Sequence, residues 1–410
     1  MLCVSDLELS NLPIEQSGMA ADPMPYFDAV RRQHPWLARC SVGYAVTEYA
    51  AMKEIILHHD GRLRFMSREI VDLMKARGTG WGRFTEEIML SKSGAEHARL
   101  RGSVAEAFNP RSINRLRPLM QQVVSSLLDD WAPRGACDFA EFAADFPIRV
   151  MFALIGASPD LLPGIRSSLE IQGSSYSLEP ARMPIIEEAY QVLWNFVVRL
   201  IAERGPNAGK DDLLDDLIAA NTSGAINDEE LRIMLVFLFG AGYDTTKNLL
   251  TLTMFTMLSE PEMWARCADD RAYCEKVVRE QLRLTSPSNT YRLVTEDFEF
   301  RGVLFPKDTM LFIPLSIAGR DPAVCAHATV FDPERQEPER HLAFGRGIHI
   351  CLGQSLARAQ AEEGVHLIAQ RITRPRLVGE VTWRPFPGVW GIKSLPIEFD
   401  PGPRRAFHWA

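Results

Sequence analysis

The chain has 410 residues, 46% hydrophobic and 24% charged, enough to bury an ample core in the manner of an ordinary globular protein. Its formal net charge of -8 leaves no basic footprint for nucleic acid. Seven cysteines, an odd number scattered along the chain, argue against a disulfide framework and for a reducing compartment.

Length alone allows two or three domains, but no linker, repeat or low-complexity run divides the sequence, so a single domain over residues 1–410 is expected. At the N-terminus Asp6, Glu8 and Glu15 interrupt any apolar run. No signal peptide or membrane span is read before Tyr26, and a cytoplasmic protein with no membrane partner is expected. Segments 62–89 and 161–183 mix apolar and loop-forming residues without steady periodicity, as a mobile lid would. Helical periodicity dominates from about Ser91 to Leu284. Within it, His97 and Arg101 stand four apart on one helix face, two cationic donors that suit carboxylates, although such pairs usually face solvent.

Residues 227–259 read as one helix about 48 Å long, opened by Asn227 with acids in its first turn and closed before Pro261. Its centre, Phe239-Gly240-Ala241-Gly242-Tyr243-Asp244-Thr245-Thr246, interrupts an apolar run with small residues and then an acid beside a hydroxyl. Two glycines and threonines that bond back to the backbone invite a bulge or kink there. Asp244 and Lys247 in the middle make a transmembrane reading costly, so a core helix is expected. Glu280 and Arg283 share a helix face, by themselves an ordinary surface ion pair. Strands are expected over 298–304, 309–315 and 392–399.

The decapeptide Phe344-Gly345-Arg346-Gly347-Ile348-His349-Ile350-Cys351-Leu352-Gly353 sets one cysteine in a glycine-punctuated loop that runs into a helix. Three glycines let the backbone turn amide N–H groups toward the sulfur, and the helix N-terminus favours negative charge there. A buried structural cysteine does not need those glycines. Cys325, His327, His349 and Cys351 also make up a ligand set for tetrahedral zinc, which leaves the glycines unexplained. From Arg340 to Gln360 there are three arginines, Arg340, Arg346 and Arg358, and no acid, so the surface over the cysteine is expected to be positive.

Phe-Gly-x-Gly-x-His-x-Cys-x-Gly resembles the haem-binding loop of the cytochrome P450 family, soluble bacterial type, and Ala-Gly-x-Asp-Thr-Thr resembles that family's distal helix. The resemblance implies a mainly α fold with small β-sheets, about a dozen helices around a haem in a triangular prism. It makes Cys351 the proximal thiolate of haem b, contacted also by Ala241, Phe344 and Gly353. His97, Arg101, Arg292 and His349 match positions that grip the haem propionates. Asp244 and Thr245 become an acid–alcohol pair that handles protons. Glu280 and Arg283 become a buried structural couple tied to Arg335, although Gln336 stands where an aromatic is common. By position, Leu238, Phe239, Ala241, Ser288, Asn289, Thr290, Val389 and Trp390 would line the substrate pocket. Ser288 and Asn289 stand where relatives often carry aliphatic residues, so they bond one polar group of a substrate or merely cap a turn.

The implied activity is a monooxygenase that inserts one oxygen atom from O2 into a small, mostly apolar molecule. No flavin or nicotinamide motif is present, so a ferredoxin and its reductase would supply electrons to a monomer. Three alternatives remain: a peroxide-driven haem-thiolate peroxygenase, a haem-thiolate binding or sensor protein, and a zinc-stapled helical scaffold. The acid–alcohol pair disfavours the first two.

Overall fold

The computed structural model describes residues 2–57, 61–205, 209, 212–324, 326–336 and 340–403. The helices that position the site are Gly94–Gly102 (α1), Phe139–Ile155 (α2), Arg166–Gly173 (α3), Met183–Arg204 (α4), Asp228–Met257 (α5), Arg271–Leu284 (α6) and Gln354–Arg371 (α7). Short helices bring the total among the described residues to sixteen, more than the expected dozen.

Helix α5 organises the rest. Asn227 caps it by accepting from the N–H groups of Glu229 and Glu230, while the Glu230 carboxylate accepts from the Asn227 N–H at 2.8 Å. Each end of that exchange satisfies a donor that has no partner inside the helix. The helix ends two residues before the expected Ser259. Helices α2, α3, α4, α6 and α7 all lie against it, so the run from Thr246 to Met254 is buried throughout, its polar members Thr246, Lys247, Asn248, Thr251 and Thr253 included.

The expected bulge at 240–246 does not form: α-helical bonding continues across it. The Thr245 hydroxyl donates to the Ala241 carbonyl at 2.9 Å within the helix. Gly242 instead serves close packing, since a Cβ there would lie 2.6 Å from the Met151 sulfur of α2. At Gly240 a Cβ would meet nothing within 4 Å, so the groove on this helix comes from small side chains rather than from a broken backbone.

A five-stranded sheet runs in the order Leu37–Cys40, Gly43–Val46, Met310–Ile313, Thr290–Val294, Leu63–Arg64 and sets Arg292 opposite Leu311. Two strand expectations are corrected. Residues 298–304 are the start of a hairpin, Phe298–Phe300 against Val303–Phe305, turning at Arg301 (φ 50°) and Gly302 (φ 78°). Two successive positive φ values match the twist of antiparallel strands. The stretch 392–399 splits at Leu395 into Ile392–Ser394 and Pro396–Pro401, which belong to different sheets. Proline at the first position of the second strand has no N–H to donate.

The segments 62–89 and 161–183 are also more regular than their sequence suggests. They hold helices Ser67–Leu73, Gly80–Glu87 and α3, each two turns long, too short for a period to stand out, and their apolar side chains Ile70, Trp81, Phe84 and Leu169 are buried. Among the described residues no helix is long and apolar enough to cross a membrane.

Candidate active site

The cysteine loop curls back on itself before entering α7. Gly345 (φ 66°) and Gly347 (φ 73°) take left-handed conformations that a side chain would strain. The Cys351 N–H donates to the Phe344 carbonyl at 2.8 Å, and the Gly345 N–H donates to the Leu342 carbonyl at the same distance. Gly353 differs from the expectation: its φ is -85°, open to any residue, and a Cβ there would meet nothing within 4 Å. Burial pushes the Cys351 thiol up from its ordinary value, while the Gly353 N–H and the charge of Arg101 favour the thiolate. An amide therefore does face the sulfur.

Above the sulfur lies a cavity of about 380 Å³. His97 and Arg101 from α1, Arg292 from its strand, and Arg346 and His349 from the loop all line it; among the described residues Asp244 is the one acid that does. The His97 and His349 rings meet edge to face at 4.6 Å. Arg292 donates through Nη1 to Thr290 Oγ1 and the Tyr291 carbonyl, both at 2.7 Å, and its Nε is buried with no hydrogen-bond partner. Burial lowers its pKa to about 10. The Arg346 Nε is likewise buried and unpartnered. Buried guanidinium donors are normally satisfied. Cationic donors lining a cavity together with a cysteine fit a ligand that carries both carboxylates and a thiolate-binding metal, and the residues present thus fit a haem.

Helix α5 lines the same cavity with Ala241, Asp244 and Thr245. The Asp244 carboxylate is almost fully buried, its Oδ1 paired with Arg384 and its Oδ2 without a partner. Burial raises the Asp244 pKa above the usual carboxylate range against the opposing charge of Arg384. Lys247, one turn further on, donates to Glu170 of α3 at 2.5 Å, and the Tyr243 hydroxyl donates to the same oxygen. Arg384 was missed from the sequence because nothing local to it announces a partner 140 residues away.

Leu238, Ser288, Asn289, Thr290 and Val389 line the cavity. Phe239 does not: one residue along the helix it turns into the core, with its ring centroid 5.3 Å from that of Phe152 and 5.4 Å from that of Phe196. Trp390 is also core, donating its Nε1–H to the Ala20 carbonyl at 2.8 Å. The Asn289 side chain is spent on structure, since its amide donates to the Phe386 carbonyl at 2.6 Å and its oxygen accepts from the Ser316 hydroxyl at 2.7 Å. Ser288 lines the cavity beside it. Phe65, Phe84, Met89, Tyr176 and Phe237 complete an apolar wall that the sequence did not single out, because they come from separate segments of the chain.

Behind the loop, Arg283 Nη2 and Nε donate to the two Glu280 oxygens at 2.6 and 2.8 Å. Both side chains are 5% exposed, not on the surface. Arg283 also donates to the carbonyls of Gly319, Ala328 and Val330, and Arg335 approaches Glu280 at 3.5 Å. The three arginines differ in exposure: Arg340 is exposed, while Arg346 and Arg358 are partly buried, Arg346 lining the cavity and the Arg358 guanidinium lying 5.3 Å from the centre of the Phe344 ring. Of the zinc set, Cys325 lies outside the described residues, and among those described no cluster of three or more His, Cys, Asp or Glu is placed to hold a metal ion.

The fold and site define a haem-thiolate protein, and comparison with known proteins agrees. The family model "Cytochrome P450" matches residues 181–372. Luteothin monooxygenase of Streptomyces thioluteus is 33% identical over 376 residues, 90% of this chain and 92% of that protein. Polyketide biosynthesis cytochrome P450 PksS of Bacillus subtilis is 30% identical over 325 residues, covering 77% and 79%. Among solved structures, that of the cytochrome P450 enzyme CxnD for C–S bond formation in chuangxinmycin biosynthesis superposes with a TM-score of 0.86 at 25% identity, covering 96% of this chain and 99% of that one. The chain belongs to the cytochrome P450 family and is a monooxygenase of it, a family whose haem is held by a cysteine thiolate.

Proposed function

We propose that this protein inserts one oxygen atom from O2 into a mostly apolar intermediate of secondary-metabolite biosynthesis, with haem b held through Cys351. The observation that carries the reading is that one cavity is lined both by a cysteine on a glycine-shaped loop and by a buried acid beside an alcohol on α5. The names of PksS and CxnD, which speak of polyketide and chuangxinmycin biosynthesis, support the substrate class.

When bound, the haem supplies oxygen activation, with the thiolate donating electron density to the iron. The protein's residues do the remainder. Cys351 would hold the iron; His97, Arg101, Arg292 and His349 would take the two propionates; and Ala241, Phe344 and Gly353 would contact the macrocycle. Leu238, Ser288 and Val389, with the aromatic wall, orient the substrate and exclude water. Thr245 holds a proton at Oγ1, and Asp244 resupplies it through Oδ2. Glu280, Arg283 and Arg335 fix the segment behind the ligand loop.

Electrons come from a ferredoxin and its reductase. An acidic ferredoxin docking over Arg340, Arg346 and Arg358 should make the rate of reduction fall with added salt; stopped-flow reduction at low and high ionic strength checks this, and an unchanged rate would remove that docking face. A peroxygenase would turn over with hydrogen peroxide alone, and Asp244 and Thr245 would then be superfluous. The test is Thr245→Ala in the haem-loaded enzyme. Haem and substrate binding should persist while product per electron falls several-fold and peroxide accumulates; unaltered product per electron would remove the role given to that hydroxyl.

A further inference from the structure

Asp244 does not stand alone. Arg384, whose own N–H donates to the Gly391 carbonyl at 2.9 Å, reaches one carboxylate oxygen from the C-terminal part of the chain. The other oxygen, Oδ2, points at Gly173 of α3, where a Cβ would come within 2.2 Å of it. Lys247 stands one turn along the same helix, yet its ammonium is given to Glu170. Tyr243 donates to Glu170 as well, and Arg166 adds a favourable charge from the start of α3. Side-chain exposure falls from 33% at Glu170 to 6% at Lys247 and 2% at Asp244, so Glu170 is the outward member.

Two cations are thus near Asp244, and only one touches it. A buried carboxylate clasped by both would bind a proton weakly, and one clasped by neither would stay protonated. We propose that Arg384 and Glu170 are positioning residues for Asp244: Arg384 fixes one carboxylate oxygen, and Glu170 draws Lys247 away from the other, leaving Oδ2 able to accept and release a proton. This rests on the proton-handling role proposed for Asp244. It makes two deletions of charged groups act in opposite directions. Arg384→Gln removes the touching cation and raises the proton affinity of Asp244. Glu170→Gln frees Lys247 to swing onto Oδ2 and lowers it.

The experiment is infrared titration of the reduced, carbon-monoxide-bound holoprotein, following the C=O band of the protonated carboxyl that Asp244→Asn abolishes. The midpoint should rise by at least about one pH unit in Arg384→Gln, a tenfold change in proton affinity. It should stay near wild type in Arg384→Lys and fall in Glu170→Gln. Glu170→Gln with Lys247→Met should reverse that fall. Midpoints unmoved in Arg384→Gln and Glu170→Gln, or moved in the same direction, would overturn the proposal. If the midpoints move as expected while Asp244→Asn keeps wild-type product per electron, the positioning stands and the proton-handling role falls.

Discussion

Leu238 and Phe239 are neighbours in the sequence with opposite fates, and the difference is testable. Leu238 faces the cavity and Phe239 joins Phe152 and Phe196 in the core. Phe239→Ala should therefore cost about 3–5 kcal/mol of stability in a denaturant titration. Leu238 is buried yet lines the cavity, so Leu238→Ala should also lose stability and should in addition alter the substrate-induced spectral shift, which Phe239→Ala should leave alone. Residues whose chemistry depends on their immediate neighbours were readable from sequence. Cys351 carries its glycines with it, and Asp244 carries Thr245. Side chains whose partners arrive from elsewhere were not readable: Arg384 meets Asp244 across 140 positions, and Asn289 is consumed by Phe386 and Ser316.

Helix α5 was foreseen within two residues because its start signal is local, a capping asparagine with Glu230 three positions on. Asn227→Ala should cost about 1 kcal/mol by the same titration. Glu230 adds a pH dependence. Its hydrogen bond to Arg99 holds the carboxyl below its ordinary value of 4.5 against a smaller opposing effect of burial. A depressed folded pKa means that this contribution is complete above 4.5 and is lost as pH falls through the lower folded value. Glu230→Gln should flatten the stability curve in that acid window and leave its neutral-pH shape alone; melting temperatures at several pH values check it. The elements that sequence misjudged were short ones. The turn at Arg301-Gly302 and the proline at 396 divide apparent single strands, and the two-turn helices around the cavity show no period long enough to detect.

Across the molecule, the mainly α architecture with small sheets follows from long helical runs around one largely buried helix, which is why composition and period sufficed for it. The couple at Glu280 and Arg283 ties α6 to the segment behind the ligand loop. Arg283→Ala would leave a buried carboxylate uncompensated. It should cost about 3–5 kcal/mol, with loss of haem before global unfolding on a thermal ramp followed by absorbance and circular dichroism. The role proposed for the cavity depends most on Cys351 binding the haem iron. The direct measurement is the absorption spectrum of the purified, haem-supplied protein after reduction and exposure to carbon monoxide. A strongly red-shifted Soret band that disappears in Cys351→Ala is the predicted result. A protein that holds no haem, or one whose band is unchanged by that substitution, would contradict the account.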